Sequence, residues 1–372
     1  MKIGILGYGK MGKDIFTLLN DTLTDTEFAV VDTVNAEAGQ QAFLKTLSKS
    51  LKRGKITEQQ FEQKQKATVF SSDISVLHDC DMIIEAVFEN RELKQEIFRN
   101  LDKLVSERCL LLTNTSSLDI SEIFEGISHR ERCSGMHFFY PVKLSGFVEI
   151  NILPETSAET IQNIRGVITA SGKKAVIFRG EYHIYLNQIL ACMISHGIYL
   201  CEYFAVSVPE LENALSELFP MAGAFEILDS IGLGLMASSP EHFRMERNRQ
   251  LLDYGCRKMH QWLADGCPKE TRTFLDFIGE HSAPTGNPCT DAPLYMTALL
   301  LNEISASLAE YDDDKKILLE AIQDTLGLEK SPSEYAEQYG RKKLCSALDD
   351  LYAKTGFLSY RNHLQEGSRF AS

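Results

Sequence analysis

A histidine set in an aromatic run, with a glutamate twelve positions later, is the first feature of this sequence that points to chemistry. The stretch GMHFFYPVKLSGFVEI, residues 135–150, contains His137 and Glu149. An imidazole with the ordinary pKa of ~6.5 can remove a proton from an alcohol near neutral pH, and a carboxylate can orient it and stabilise the imidazolium. A lone histidine beside phenylalanines is more often a core residue, so the pair needs partners before it indicates catalysis.

The amino-terminal stretch KIGILGYGKMGKDIFTLL predicts a strand, a tight turn and a helix. Gly7, Gly9 and Gly12 in the turn have GxGxxG spacing, which lets the backbone approach a pyrophosphate at the start of a helix. Asp32 follows a second predicted strand, where a carboxylate can accept hydrogen bonds from ribose hydroxyls. That carboxylate would repel a 2′-phosphate, and no arginine occurs in the following TVNAEAGQQ, so the pattern favours NAD over NADP.

Further apolar runs, DMIIEAVFEN and CLLLTNTSSLDI, alternate with helical patterns such as RELKQEIFRNLDKLV. This alternation predicts an α/β Rossmann-type fold with a doubly wound parallel sheet. In such sheets ligands bind beyond the carboxyl ends of the strands. The fold therefore predicts that Ala86, Glu89, Asn114, Ser116 and His137 surround one crevice.

Five motifs together carry a resemblance to a known family: GYGKMG, EAVFENRELKQEIFRNLD, NTSSLDISEI, HFFYPV and FVEI. In this order and spacing, they resemble the 3-hydroxyacyl-CoA dehydrogenases and the related 3-hydroxybutyryl-CoA dehydrogenases over most of residues 1–190. The resemblance implies that His137 is a general base paired with Glu149, that Ser116 hydrogen-bonds the reacting oxygen, and that Asn187 is a further catalytic residue. It also implies an NAD site formed by Gly7, Gly9, Met11, Gly12, Asp32, Ala86, Glu89, Lys94, Asn114 and Tyr140.

Three departures from the family pattern concern the substrate end of the site. Tyr140 stands where the family usually has an asparagine after HFF. The stretch RGEYHIYLNQ before and around Asn187 lacks the family's proline and glycine, and PMAGAFEILD, residues 220–229, alters a loop. A basic cluster lies in KTLSKSLKRGKITEQQ, and we interpret Lys52 and Lys55 as candidate contacts for the phosphates of a CoA or of a phosphopantetheine arm.

The second half of the chain predicts all-α structure. We place an NAD-binding domain at 1–182, a first helical domain at 183–283 and a second helical module at 284–372, with a turn-rich linker at 279–293. LNQILACMISHGIYLCEYF and LYMTALLLNEISASLAEYD look like weak repeats of one helix, which indicates a duplicated module. In short family members two chains pair through their helical domains, so the duplication predicts a monomer with the same pairing inside one chain.

Composition excludes several classes of protein. With 372 residues, 44% of them hydrophobic, and a net charge of −14, the sequence argues against binding to nucleic acid or to an anionic membrane surface. The nine cysteines show no CxxC pair, so neither a disulfide framework nor a metal site is expected. We find no membrane-spanning run and no leader pattern, which makes the cytoplasm the expected location.

Three functions are compatible with the sequence. The first is an NAD-dependent oxidoreductase that interconverts an (S)-3-hydroxyacyl-CoA and its 3-oxoacyl form. The second is a related dehydrogenase whose hydroxyacyl group is tethered to an acyl carrier protein in secondary metabolism. The third is a noncatalytic NAD-binding protein that has kept the fold, and the joint presence of Ser116, His137, Glu149 and Asn187 argues against it.

Overall fold

A computed structural model describes residues 1–180, 184–216, 218–219, 223–238, 243, 245–269, 274–281, 285–286 and 289–364. The chain divides into two compact units, Met1–His183 and Ile184–Ser372. The predicted helical modules at 183–283 and 284–372 both fall in the second unit, apart from residue 183. Their separate origin by duplication stays a prediction.

The first unit is built on one eight-stranded sheet with the strand order β3-β2-β1-β4-β5-β6-β7-β8. Its strands are β1 (Lys2–Leu6), β2 (Glu27–Val31), β3 (Thr68–Ser71), β4 (Met82–Glu85), β5 (Leu110–Thr113), β6 (Cys133–Phe138), β7 (Phe147–Ile152) and β8 (Lys174–Arg179). Its helices are α1 (Lys10–Thr22), α2 (Ala36–Lys52), α3 (Glu58–Lys66), α4 (Arg91–Leu104), α5 (Ile120–Ile123) and α6 (Ala158–Ala170).

The sheet confirms the Rossmann-type prediction but is not wholly parallel. Strands β1 to β6 are parallel, whereas β7 pairs with β6 in the antiparallel direction and β8 runs parallel to β7. The short connection 139–146 explains the reversal, because a parallel partner needs a crossover of a dozen or more residues. The sheet edge formed by β7 and β8 therefore runs opposite to the rest.

Both faces of the sheet are buried. Along β1, Ile3 and Ile5 contribute to one hydrophobic cluster and Leu6 to the cluster on the opposite face. The same division appears in β4, where Ile84 and Ile83 belong to different clusters. Burial on both sides explains why the strands read as continuous apolar runs rather than as alternating ones.

In the second unit, the described secondary structure consists of helices joined by turns and loops. Its helices are α7 (Tyr185–Phe204), α8 (Val208–Leu215), α9 (Ala224–Ile231), α10 (Leu233–Ser238), α11 (Arg249–Ala264), α12 (Phe274–His281), α13 (Ala292–Glu310), α14 (Lys315–Leu326), α15 (Pro332–Tyr339) and α16 (Arg341–Thr355). Helix α7 packs against α11 and α13, and α13 packs against α16. The two helices that the sequence suggests are repeats, α7 and α13, are therefore neighbours.

Two details of this unit differ from the sequence-based expectation. The apolar stretch FEILDSIGLGLMA is compatible with one continuous helix, but it forms α9 and α10, because Gly232 between them has a φ of +96° that a helix cannot contain. Within the predicted linker at 279–293, α12 continues to His281 and α13 begins at Ala292. Between them the amides of Thr285 and Gly286 donate to Oε1 of Glu210 at 3.0 and 2.8 Å.

Within the described residues, no single helix combines the length and apolar character needed to cross a membrane; only the consecutive pair α7 and α8, bent by 114°, meets that test when the two are joined.

Candidate active site

The His137–Glu149 pair lies on the antiparallel strands β6 and β7. The two residues are directly opposite each other in the register, so their side chains project from the same face of the sheet. Nδ1 of His137 lies 2.7 Å from Oε2 of Glu149, and both side chains are buried. A carboxylate can only accept, so Nδ1 is the nitrogen that donates in this contact. The structure thus places the two side chains in contact, and their catalytic roles stay predictions.

The glycine loop after β1 has the close packing expected of a pyrophosphate cradle. Gly7 has a φ of +95°, and a Cβ there would lie 2.6 Å from the carbonyl oxygen of Ala86. A Cβ on Gly12 would lie 1.9 Å from the carbonyl oxygen of Gly7, whereas nothing lies within 4 Å of one built on Gly9. Two glycines are thus required by packing, and the third leaves space at the amino terminus of α1. This geometry fits a dinucleotide phosphate.

Asp32 follows β2 and is bonded to the backbone around the glycine loop. Its Oδ2 accepts from the Tyr8 amide at 2.7 Å, and its Oδ1 accepts from the amides of Val34 and Asn35 at 2.9 and 2.6 Å. Burial acts to raise the pKa of Asp32, but these amide donors outweigh it and lower the pKa below 3.8. The carboxylate is therefore ionised at neutral pH, as its predicted contact with a ribose requires.

A buried ion network supports the ends of β4 and β5. Lys94 of α4 is 1% exposed, and its Nζ lies 2.6 Å from Oε1 of Glu85 and 3.1 Å from Oε2 of Glu89. Oε2 of Glu85 accepts from the Thr113 hydroxyl at 2.7 Å. Burial raises the pKa of Glu85. Burial also acts to raise the pKa of Glu89, but the charge of Lys94 and hydrogen bonds from Thr115 and Lys94 lower it overall.

Glu89 in turn organises the segment that contains Ser116. Its Oε1 accepts from the hydroxyl of Thr115 at 2.5 Å, from the amide of Ser116 at 3.1 Å and from the amide and hydroxyl of Ser117 at 3.2 and 3.0 Å. Asn114 follows the adjacent strand end, and its Oδ1 accepts from the Phe138 amide, next to His137, at 2.8 Å. The structure therefore ties the predicted residues after β4 and β5 to one another and to β6.

Other predicted site residues have different surroundings. Met11 packs against the core, and Ala86 forms part of the wall against which Gly7 lies. Tyr140 is 54% exposed, and Nζ of Lys10 lies 3.7 Å from the centre of its ring. Because Lys94 is buried between two carboxylates, the structure shows it as a support for Glu89. The cofactor contacts of these residues stay predictions.

The remaining predicted residues lie at the end of α2 and in the second unit. Lys52 ends α2, Lys55 follows three residues later, and both are exposed. Asn187 lies in the first turn of α7 and is half-buried. Two of the three departures noted in the sequence, at RGEYHI and PMAGAF, fall partly on residues 181–183 and 220–222, which lie outside the described residues.

Sequence reasoning missed the polar residues that surround Glu89. Glu85 ends a buried strand, and Thr115 and Ser117 flank Ser116 in the NTSS motif. A glutamate at the end of an otherwise apolar strand, with a lysine nine residues later, was the available signal for the Glu85–Lys94 pair. Among the described residues, no group of three or more histidine, cysteine, aspartate or glutamate side chains could hold a metal ion.

The fold and the glycine loop define a dinucleotide-binding α/β protein, and comparison with known sequences narrows that class. The family model described as 3-hydroxyacyl-CoA dehydrogenase, NAD binding domain, matches residues 2–181. A probable 3-hydroxybutyryl-CoA dehydrogenase of Bacillus subtilis is 32% identical over 243 residues, which cover 64% of this chain and 84% of that protein. The chain therefore belongs to the 3-hydroxyacyl-CoA dehydrogenase family and has its NAD-binding domain.

Other relatives are longer than the matched region or share mainly the fold. The chain spans only 33% of the cucumber glyoxysomal fatty acid beta-oxidation multifunctional protein, to which it is 31% identical over 245 residues, or 65% of this chain. The crystal structure of 3-hydroxybutyryl-CoA dehydrogenase from Escherichia coli has a TM-score of 0.75 at 20% identity, covering 97% of this chain and 96% of that one. The (S)-3-hydroxybutyryl-CoA dehydrogenase from Ralstonia eutropha has a TM-score of 0.63 at 26% identity, covering 72% and 94%.

Proposed function

We propose that the protein is an NAD-dependent dehydrogenase that interconverts an (S)-3-hydroxyacyl-CoA and the corresponding 3-oxoacyl-CoA. The observation that carries the proposal is the buried His137–Glu149 pair, with 2.7 Å between Nδ1 and Oε2, on the sheet of an NAD-binding domain. A histidine oriented by a carboxylate can act as a general base on an alcohol, and here the pair lies beside the NTSS segment through the Asn114–Phe138 hydrogen bond.

The proposed reaction divides proton and hydride transfer between protein and cofactor. Bound NAD supplies the hydride acceptor. Nε2 of His137 takes the hydroxyl proton while the carbon that bears the hydroxyl loses its hydride and a carbonyl forms. Glu149 keeps the other proton on Nδ1 and stabilises the imidazolium. From the family resemblance, Ser116 hydrogen-bonds the reacting oxygen and Asn187 is a further catalytic residue.

The names of the relatives support a CoA thioester as the substrate. The Bacillus subtilis and Ralstonia eutropha relatives are both named as 3-hydroxybutyryl-CoA dehydrogenases. Lys52 and Lys55, exposed at the end of α2, supply local positive charge in a protein whose net charge is −14. We assign them to the phosphates of the CoA moiety.

Steady-state kinetics test the proposal and distinguish the substrate carrier. Oxidation of NADH is followed with acetoacetyl-CoA and with an acetoacetyl group loaded on an acyl carrier protein, at equal concentrations. We expect turnover with the CoA thioester and a kcat/KM at least equal to that for the carrier-bound form. Turnover with the carrier-bound form alone would assign the enzyme to carrier-protein chemistry. No turnover with either would leave a noncatalytic NAD-binding protein.

The cysteines support a reducing compartment, and we propose the cytoplasm. Six of the nine cysteines are buried. Burial raises the pKa of several of these thiols, to about 12 for Cys80, Cys109, Cys133 and Cys201, which keeps them protonated and unreactive. Free thiols without disulfide partners are typical of reducing compartments.

A further inference from the structure

A buried polar network in the second unit connects three helical segments. Arg247 and Asn248 lie in the 3₁₀ turn Glu246–Asn248 before α11, and Glu303 lies on α13. Glu303 is 1% exposed, and its Oε2 accepts from Nε of Arg247 at 3.1 Å and from Nδ2 of Asn248 at 2.9 Å. A buried carboxylate with a charged and a neutral donor fixes the position of both segments.

Ser307, one turn after Glu303 on α13, extends this network to α7. Its Oγ lies 2.8 Å from the Glu303 carbonyl oxygen, 3.0 Å from Nη2 of Arg247 and 2.7 Å from the hydroxyl of Tyr185. A carbonyl can only accept and a guanidinium can only donate, so the single Ser307 proton is directed to the Glu303 carbonyl. The Tyr185 hydroxyl therefore donates to Ser307. Tyr185 is the first residue of α7.

The start of α7 has a strained backbone. Ile184, which precedes the helix, has a φ of +57°, and a β-branched residue in this left-handed region is a genuine outlier. Such strain persists only where surrounding contacts enforce it, and it concentrates at functional positions. Here contacts lie on both sides of Asn187. Tyr185 is held by Ser307, and Oε1 of Gln188 accepts from the Met245 amide at 3.3 Å.

We propose that Glu303, Ser307 and Arg247 are positioning residues for Asn187: they hold the strained first turn of α7 so that this side chain has one orientation. The inference rests on the proposed function, because the catalytic role of Asn187 comes from the family resemblance. It assigns a role in the reaction to the predicted module 284–372, which contains Glu303 and Ser307 and otherwise contributes no predicted site residue.

A matched pair of serine substitutions on α13 tests the proposal. Ser307 and Ser305 are both buried, but Ser305 Oγ has no hydrogen-bond partner among the described residues, so Ser305→Ala is the control. We expect Ser307→Ala to lower kcat about tenfold to a hundredfold, the range for a misplaced catalytic group, with the KM for NADH within about twofold of wild type. Ser305→Ala should match wild type, and Ser307→Thr, which keeps the hydroxyl, should restore most of the turnover.

Hydrogen–deuterium exchange of a peptide covering 184–192 supplies a readout independent of turnover. Loss of the Tyr185 contact should raise exchange in this peptide about tenfold in Ser307→Ala and leave it unchanged in Ser305→Ala, because a lost buried hydrogen bond is worth about one order of magnitude in opening. If Ser307→Ala fails to fold, Tyr185→Phe is compared with Ser305→Ala in its place, because it removes the same hydrogen bond by deleting the Tyr185 hydroxyl.

Two results would overturn the proposal. The first is equal exchange in the two serine variants, because the network would then not hold the turn. The second is a Ser307→Ala variant whose exchange is raised but whose kcat equals that of Ser305→Ala, because the position of the turn would then not affect the reaction. A wild-type protein that turns over no thioester would contradict the proposed function instead, and the exchange comparison would still decide whether the network holds α7.

Discussion

Lys94 is buried between two carboxylates, and its replacement should lower the free energy of unfolding. Replacing it with methionine would leave Glu85 and Glu89 without their charge partner in a buried region. Removing one partner of a buried ion pair costs about 3 to 5 kcal/mol, so we expect Lys94→Met to lower the free energy of unfolding by that amount in urea denaturation. Lys103→Met, at an exposed position of the same helix, should change it by less than about 0.5 kcal/mol. Equal stability of the two variants would contradict the network.

Asp32 sets the expected preference for NAD. Removing its carboxylate in Asp32→Ala takes away charge-assisted hydrogen bonds worth ~1.5 to 3 kcal/mol, so the KM for NAD should rise about tenfold or more. The same variant loses the acceptor of the Tyr8 and Asn35 amides, which shape the glycine loop. Steady-state kinetics with NADH and NADPH check the assignment. A wild-type protein that uses both cofactors equally well would show that this reading of Asp32 is wrong.

Among the elements, the sequence predicted which segments form strands and helices better than it predicted the direction of the strands. The alternation of strands and helices was predictable from apolar runs and turn residues, whereas the pairing of His137 with Glu149 was predicted from the family resemblance. The reversal of β7 and β8 was not read from the sequence, although the short connection 139–146 requires it. The contacts of Glu89 with Thr115 and Ser117 depend on the exact conformation of a loop after β5, which no local pattern specifies.

The contact between α7, α13 and the 3₁₀ turn Leu358–Tyr360 depends on one buried histidine. Nε2 of His196 lies 3.1 Å from the Tyr295 carbonyl oxygen, which can only accept, so Nε2 carries the proton. Nδ1 then accepts from the Tyr360 hydroxyl at 2.9 Å. Burial lowers the pKa of His196 from 6.5 to about 4. The packing of these segments therefore requires the neutral imidazole.

The lowered pKa of His196 makes the stability of the folded protein depend on pH. Between pH 6.5 and about 4 the unfolded chain binds a proton at His196 that the folded protein does not, so stability is lost as the pH falls through this window. The loss amounts to about 3 kcal/mol over the whole window. Urea denaturation at pH 7 and pH 4.5 measures this loss of unfolding free energy. We expect it in wild type and in the control His260→Gln, whose site is exposed, but not in His196→Gln. An equal pH dependence in all three proteins would contradict the assignment.

At the scale of the whole molecule, the packing of α7 against α13 bears on oligomeric state. Short family members are expected to pair two chains through their helical domains, and here the two similar helices contact each other within one chain. If this contact replaces the dimer contact, the protein is a monomer. Light scattering at micromolar concentrations should give a mass near 41.8 kDa. A dimer that survives dilution would show that the helical surface is not satisfied within the chain.

His137 and Glu149 are proposed to act together as the base, and a double-mutant cycle in turnover tests this proposal. We expect His137→Gln to lower kcat by about a hundredfold to ten-thousandfold with NAD binding nearly unchanged, and Glu149→Gln to act on the same step. Because the pair works as one unit, the double variant should be little worse than His137→Gln alone. Thermal melts of the same preparations separate catalysis from packing. A His137→Gln protein that is less stable yet keeps nearly full turnover would show that His137 is a core residue and not the base.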